Sequence, residues 1–124
     1  FAAKKVTDSG NDQVLLTERG TTFGYTDLVV DMRGFPIMNA FGFPTVMDVT
    51  HSLQQPNQTS GVTGGLPHLI PTIASSAVAA GANGLFIETH PTPSTALSDG
   101  ANMLPLKELD ALMNRLINIK KAIS

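Results

Sequence analysis

Three short apolar segments, each followed by a polar loop and then a helical stretch, constrain the fold of this chain more than any other feature. The segments are residues 13–17, 44–49 and 84–87, and each is bounded by turn residues or by charge. Such strands, alternating with helices, are typical of βα units, in which the strands run parallel. The sequence therefore predicts an α/β fold, with the first strand buried on both faces.

The helical stretches are recognised by their apolar spacing and by their end signals. Residues 1–6 have the pattern of the last turns of a helix. Proline is tolerated in a first helical turn, but Pro71 lies deep enough in its predicted helix to bend it. The helices that follow the strands are expected to end near Ala40, to run from an N-cap at Thr63 to Gly81, and to begin at Pro105.

Composition excludes several classes of protein. Eight Lys and Arg residues against ten Asp and Glu residues leave a net charge of -2, which disfavours binding to nucleic acid. The absence of cysteine excludes disulfides and thiolate zinc sites, so His, Asp and Glu are the strong metal ligands that remain, and a reducing, cytoplasmic setting is expected. No apolar run reaches the roughly 18 residues of a membrane span, so we expect no membrane association.

A first candidate site lies at the end of the first strand, where Arg19 precedes a glycine-containing loop. In parallel α/β proteins the functional loops follow the carboxyl ends of the strands. The planar guanidinium of arginine suits a phosphate or a carboxylate, because it donates two parallel hydrogen bonds and keeps its charge. The alternative is a structural ion pair between Arg19 and Glu18 or another acid.

A second group of candidates follows the other two strands. His51 comes after the second strand, and Glu88 and His90 follow the third at a spacing that places both on one face of an extended segment. Asp99 lies in the same loop, so the group offers the nitrogen and oxygen ligands that a divalent transition metal accepts. The alternative is a hydrogen-bonded polar rim. Gly64 and Gly65 precede a helix and offer backbone N–H groups to an anion, although a plain turn explains them equally well.

Five segments stand in order along nearly the whole chain: TERGTTFGY (17–25), LVVDM (28–32), DVTHSLQ (48–54), LFIETHP (85–91) and LSDGANMLPL (97–106). Together they resemble one enzyme family, 3-deoxy-D-manno-octulosonate 8-phosphate synthase, also called 2-dehydro-3-deoxyphosphooctonate aldolase. The fold of that family is a (β/α)₈ TIM barrel, and the resemblance covers its C-terminal part, about three βα units, counted as the sixth to the eighth.

The resemblance implies a reaction. Members of the family condense phosphoenolpyruvate with D-arabinose 5-phosphate and water, which gives 3-deoxy-D-manno-octulosonate 8-phosphate and inorganic phosphate. The product enters lipopolysaccharide biosynthesis in Gram-negative bacteria. The family also implies a cytoplasmic homotetramer, so we expect a homo-oligomer.

The resemblance also implies roles for particular residues. Arg19 corresponds to an arginine that binds the phosphate of phosphoenolpyruvate, and Gln54 lies in the substrate-binding motif beside the histidine. His51 and Asp99 correspond to residues of the reaction centre. Together with Glu88 they correspond to ligands of a divalent metal (Mn, Zn, Fe or Co) in the metal-dependent class, which takes a cysteine from the first barrel strand as its fourth ligand. The metal-independent class has asparagine there and uses no metal.

The sequence departs from the family pattern after Gly65, where Leu66 and Pro67 stand and many members have an arginine two residues on. A phosphate-binding role for this loop is therefore weakened. Two further hypotheses remain. One is the related aldolase that uses erythrose 4-phosphate, which the DVTHSLQ segment disfavours. The other is a non-catalytic half-barrel that binds a sugar phosphate or serves in assembly.

Overall fold

The computed structural model describes residues 1–22, 25, 27–55 and 64–124, and within them it shows alternating strands and helices. Short 3₁₀ turns cover His51–Leu53, Pro67–Leu69, Pro93–Thr95 and Gly100–Asn102. The helices and strands are α1 (Ala2–Asp8), β1 (Leu16–Glu18), α2 (Gly34–Asn39), β2 (Thr45–Asp48), β3 (Gln54–Gln55), β4 (Gly64–Gly65), α3 (Ile70–Ala79), β5 (Gly84–Phe86), β6 (Thr89–His90), β7 (Leu104–Pro105) and α4 (Leu106–Ile123).

A three-stranded parallel sheet in the order β1, β2, β5 organises the fold, which confirms the predicted α/β class. Thr17 pairs with Val46, and Met47 pairs with Leu85. The central strand β2 is buried along most of its length, because it has a neighbour on each side and helices over it. Two small ladders accompany this sheet: β3 pairs antiparallel with β4, and β6 pairs parallel with β7.

The first strand differs from its prediction in two ways. It begins at Leu16 rather than at residue 13, because a turn at Asn11 and Asp12 still accepts the backbone N–H groups of Gln13 and Val14. It is also not buried on both faces, since Thr17 is exposed. Among the described residues β1 pairs with β2 alone, so within this part of the barrel it lacks the double cover that β2 has.

The helix α3 begins later than the sequence predicts. Gly64 and Gly65 form β4 instead of leading directly into a helix, and the helix begins at Ile70 after a 3₁₀ turn. Pro71 therefore falls in the first helical turn and does not bend the helix, contrary to the prediction. The predicted N-cap Thr63 lies outside the described residues. Gly81 follows the C-cap with a φ of 100°, as expected of a glycine that ends a helix.

The hydrophobic core lies between the sheet and the helices α3 and α4. Along α4, Leu112 and Leu116 are buried, whereas the apolar side chains of Met113 and Ile117 are exposed. No helix in the described part of the chain is long and apolar enough to cross a membrane. The core comprises Phe35, Met47, Val49, Leu53, Ile70, Ala74, Ala77, Val78, Ala82, Leu104, Leu112 and Leu116.

Candidate metal and anion site

The carboxyl ends of β2 and β5 bring the candidate residues together. The two strands are paired up to Asp48 and Phe86, and the N–H of Val49 continues the ladder by donating to the Phe86 carbonyl at 3.1 Å. One step further, the backbone N–H of Glu88 donates to the buried hydroxyl of Thr50 at 2.8 Å. The two loops therefore leave the sheet side by side, and His51 comes to lie next to Glu88.

His51 is held from one side by Asp48. Its Nδ1 lies 2.8 Å from Oδ2 of Asp48, and its Nε2 lies 3.6 Å from Oε1 of Glu88. The other oxygen of Asp48 accepts the backbone N–H groups of Thr50 and His51 at 3.1 and 2.8 Å. Because a carboxylate only accepts, neutral His51 carries its hydrogen on Nδ1, and the Nε2 lone pair is directed towards Glu88.

His51, Glu88 and Asp99 form a cluster that we call the strand-end triad. Each offers one ligand atom, and these atoms lie within 4.8 Å of one another. Oε2 of Glu88 is buried and has no hydrogen-bond partner among the described residues, although a buried carboxylate oxygen normally has one. One imidazole nitrogen and two carboxylates suit the divalent ions of Mn, Fe, Co and Zn. The triad therefore fits the divalent metal of the metal-dependent class, one of the two classes that the family resemblance left open.

Arg19 is joined to the triad through Gln54. Nη2 of Arg19 donates to Oε1 of Gln54 at 2.8 Å, and Nε2 of Gln54 donates to Oδ1 of Asp99 at 3.0 Å. The alternative ion pair between Arg19 and Glu18 is wrong, because Glu18 instead accepts the backbone N–H of Gly20. The Arg19 side chain is exposed at the strand end, where an anion can reach it.

Some residues of the sequence prediction lie elsewhere, and two others were missed. His90 does not join the triad, because its Nδ1 accepts the backbone N–H of Thr92 at 3.0 Å. Asp48 and Thr50 were not predicted, although they position His51 and Glu88. The spacing of an aspartate three residues before a histidine at a strand end was the available signal for Asp48. Nothing in the sequence pointed to the contact between Thr50 and Glu88, because these residues lie on different βα units.

The sheet, the helices around it and the polar strand-end loops define part of a parallel α/β barrel with a site at the carboxyl ends of its strands. A model of the DAHP synthetase I family matches residues 1–124, and the chain belongs to this family of enzymes.

Comparisons with individual proteins agree with this assignment and confirm the resemblance noted in the sequence. The chain is similar to the 2-dehydro-3-deoxyphosphooctonate aldolases of Trichlorobacter lovleyi (51% identity over 90% of the chain and 41% of the relative) and Rhizobium meliloti (53% over 91% and 40%). The chain thus spans about two fifths of the length of these curated relatives.

The fold is similar to that of a solved structure, the phospho-2-dehydro-3-deoxyheptonate aldolase (DAHP synthase) of Thermotoga maritima. The TM-score is 0.82 at 29% sequence identity, and the match covers 98% of this chain and 34% of that one. The prediction that the chain forms part of a TIM barrel is confirmed.

Proposed function

We propose that this chain supplies one side of the active site of an enzyme that condenses phosphoenolpyruvate with D-arabinose 5-phosphate and water. The products are 3-deoxy-D-manno-octulosonate 8-phosphate and inorganic phosphate. The observation that carries the proposal is the continuous chain of contacts from Arg19 through Gln54 to the strand-end triad. It supports the proposal, because a guanidinium that can bind a phosphate and a cluster that can hold a divalent metal are joined by direct hydrogen bonds.

In the proposed reaction, C3 of phosphoenolpyruvate forms a bond with the aldehyde carbon of the pentose phosphate. Water adds to C2 of the enolpyruvyl group, and the C–O bond to the phosphate is then broken. The two substrates carry like charges, so their approach depends on positive groups that hold each of them in place. Arg19, exposed at the strand end, is proposed to bind the phosphate of phosphoenolpyruvate.

His51, Glu88 and Asp99 are proposed to hold the divalent metal, with His51 and Asp99 at the reaction centre. When bound, such an ion supplies Lewis acidity that orients an oxygen of a substrate or lowers the pKa of a water molecule. The protein's part is to present the Nε2 atom of His51, which Asp48 directs towards Glu88. Gln54 is proposed to act in substrate binding through its contact with Arg19.

The wider setting of the reaction is proposed from the family resemblance. The three strand-loop-helix segments are assigned to the sixth, seventh and eighth units of the barrel, so residues 1–124 form the C-terminal part of one TIM-barrel domain. We further propose a cytoplasmic homotetramer that acts in lipopolysaccharide biosynthesis.

The substrate test compares two aldehydes in the complete natural protein. Phosphate release from phosphoenolpyruvate is measured with D-arabinose 5-phosphate and, separately, with D-erythrose 4-phosphate. The proposal expects turnover with the pentose phosphate and little with the tetrose phosphate.

The opposite preference would favour the second candidate, an aldolase that makes the seven-carbon product, which the solved structure's name supports. We rank it lower because the octonate aldolases are 51–53% identical to the chain and the solved structure is 29% identical. Turnover with neither aldehyde would favour a non-catalytic role.

A further inference from the structure

The side-chain amide of Gln54 bridges the two halves of the candidate site. Its oxygen accepts from Nη2 of Arg19 at 2.8 Å, and its nitrogen donates to Oδ1 of Asp99 at 3.0 Å. We propose that Gln54 is a positioning residue that couples the anion site at Arg19 to the metal site at Asp99. A ligand bound at either site then changes the affinity of the other site for its own ligand.

The chemistry of the three groups allows only one orientation of the amide. A guanidinium only donates hydrogen bonds and a carboxylate only accepts them. The Gln54 oxygen must therefore face Arg19, and its nitrogen must face Asp99. A flipped amide would place N–H groups against the guanidinium and an oxygen against the carboxylate, so both bonds would be lost together.

The backbone on either side of Gln54 is held by hydrogen bonds to the strand β4 and to the residue after it. Gln54 pairs with Gly65 in the β3–β4 ladder, and the N–H of Leu66 donates to the carbonyl of Leu53 at 3.1 Å. Gly65 has no room for a Cβ atom, which would collide with the side chain of Asn102 and lie 2.7 Å from the carbonyl oxygen of Ala101. The ladder is thus packed tightly against the turn that carries Asp99.

Asp99 depends on this support. Its backbone has φ 51° and ψ 16°, a left-handed conformation that is unfavourable for a residue with a Cβ atom. The backbone is held by the N–H of Asn102, which donates to the Asp99 carbonyl at 2.8 Å, and the carboxylate is held by Gln54. An anion that draws the Arg19 guanidinium away frees the Gln54 amide to rotate, and the position of Asp99 changes with it.

Coupling of this kind is reciprocal, because the effect of the anion on metal affinity must equal the effect of the metal on anion affinity. The inference rests on the proposed function, since it takes phosphoenolpyruvate as the anion and the triad as the metal site. It adds a property that neither site has alone. The metal affinity of the triad depends on phosphoenolpyruvate through one neutral side chain.

The test measures Mn²⁺ affinity in the complete natural protein from the paramagnetic resonance signal of free Mn²⁺, with and without saturating phosphoenolpyruvate. Gln54→Met keeps the length of the side chain and removes both polar ends. Gln55→Met is the matched control, because Gln55 is the next residue and its amide also donates to a carboxylate, that of Asp27, at 2.8 Å. Gln54→Asn is a second variant, since the shorter side chain cannot span both partners.

We expect Gln54→Met and Gln54→Asn to weaken Mn²⁺ binding by about tenfold, the loss typical of a residue that supports a metal ligand. The second quantity is the ratio of the Mn²⁺ affinities measured with and without phosphoenolpyruvate. We expect the change in affinity that this ratio describes to be at least about threefold smaller in both Gln54 variants than in the parent, and to equal the parent's in Gln55→Met.

Parental Mn²⁺ affinity in both Gln54 variants would overturn the inference. A phosphoenolpyruvate effect that is absent from the parent, or that the Gln54 variants retain, would overturn it as well. If the parent protein binds no Mn²⁺, the proposed metal site is wrong and the coupling falls with it. If the parent binds Mn²⁺ and the Gln54 variants bind it equally well, only the proposed coupling is wrong, and the proposed function still stands.

Discussion

The two ends of the central strand β2 carry polar residues of similar kind, yet they are organised differently. At the amino end, Thr45 donates from its backbone N–H to Oδ1 of Asn83 and from its hydroxyl to Oδ1 of Asn39. Asn39 in turn donates to the carbonyl of Gly81, and the N–H of Asn83 donates to the carbonyl of Thr45. Every group named here is paired with another group of the chain.

The carboxyl end retains polar atoms that the chain does not pair. Among the described residues, the buried side-chain atoms without a hydrogen-bond partner belong to Ser52, Glu88, Thr89 and Asn102, all of which lie beyond the carboxyl ends of the strands or in the loops there. Leaving a buried polar atom unpaired costs about 1–3 kcal/mol. The amino end of β2 is therefore built for stability, whereas the carboxyl end keeps hydrogen-bonding capacity for a ligand.

Arg19→Ala gives the largest change expected in a test of this contrast between the two ends. The variant removes the charged donors proposed to bind the phosphate of phosphoenolpyruvate, and hydrogen bonds to charged groups are worth about 1.5–3 kcal/mol each. We expect kcat/KM for phosphoenolpyruvate to fall on the order of a hundredfold, with little change in the KM for the pentose phosphate.

Steady-state kinetics with each substrate varied in turn measures this difference. Arg115→Ala removes another exposed arginine, on α4, and should leave both KM values unchanged. Equal losses for the two substrates would show that Arg19 does not bind phosphoenolpyruvate in particular.

Asp48→Asn tests whether the carboxyl end positions a ligand. The amide oxygen still accepts the backbone N–H groups of Thr50 and His51, but the amide nitrogen now faces Nδ1 of His51. The hydrogen of the imidazole then moves to Nε2, which can no longer bind a metal. We expect Mn²⁺ affinity to fall about tenfold or more, as is common when a partner of a metal-binding histidine is changed.

Calorimetric titration with Mn²⁺ provides the measurement for Asp48→Asn. Asp110→Asn is the control, because Asp110 is an exposed carboxylate on α4 that does not belong to the triad. Unchanged affinity in Asp48→Asn would mean that His51 is oriented without Asp48.

Thr45→Val tests the amino end, and its effect should be on stability alone. The variant keeps the shape of the side chain and leaves Oδ1 of Asn39, which is partly buried, without its donor. We expect the free energy of unfolding to fall by about 1–2 kcal/mol, with activity per folded molecule unchanged.

Denaturant unfolding compares Thr45→Val with Thr95→Val, which removes an exposed hydroxyl bonded only to the carbonyl of Thr92. A loss of activity in folded Thr45→Val would contradict the division of roles between the two ends of β2.

The smallest effect is expected for the exposed ion pair between Arg33 and Asp31, in which Nη2 lies 2.7 Å from Oδ2. Hydrogen bonds from Arg33 lower the pKa of Asp31 below its ordinary value of 3.8. The contribution of the pair is therefore present above pH 3.8 and is lost as the pH falls through the lower folded pKa. Solvent screens such a pair strongly.

We expect Arg33→Ala to leave the melting temperature nearly unchanged at neutral pH. Any difference from the parent should disappear in acid and in high salt. A large destabilisation at neutral pH would show that exposed pairs contribute as much as the buried network around Thr45.

The sequence was most informative where a residue's role depends on its own neighbours. The apolar run at β2 and the position of Gly81 predicted a strand and a helix end correctly, because both are local properties. His51, Glu88 and Asp99 were also predicted to lie together, because they follow predicted parallel strands and such strands end at the same edge of a sheet.

The remaining features depend on contacts between distant parts of the chain. Gln54 and Asp99 are 45 residues apart, and their hydrogen bond exists only because the β3–β4 ladder packs against the turn at Asp99. The late start of α3 has a similar cause, since Gly64 and Gly65 pair with Gln54 and Gln55 and are not available to a helix. The burial of β1 likewise depends on which strands and helices lie against it, and the local pattern of apolar residues does not encode these distant contacts.

The central claim is that the strand-end triad holds a divalent metal, and titration of the metal-free complete protein with Mn²⁺ tests it most directly. The parent and Glu108→Gln, which changes an exposed carboxylate on α4, should each bind one Mn²⁺ ion tightly. Glu88→Gln should lose that site, because the uncharged amide replaces a carboxylate of the triad whose Oε2 is buried and, among the described residues, has no hydrogen-bond partner. Absence of the site from the parent, or equal binding by Glu88→Gln, would contradict the claim.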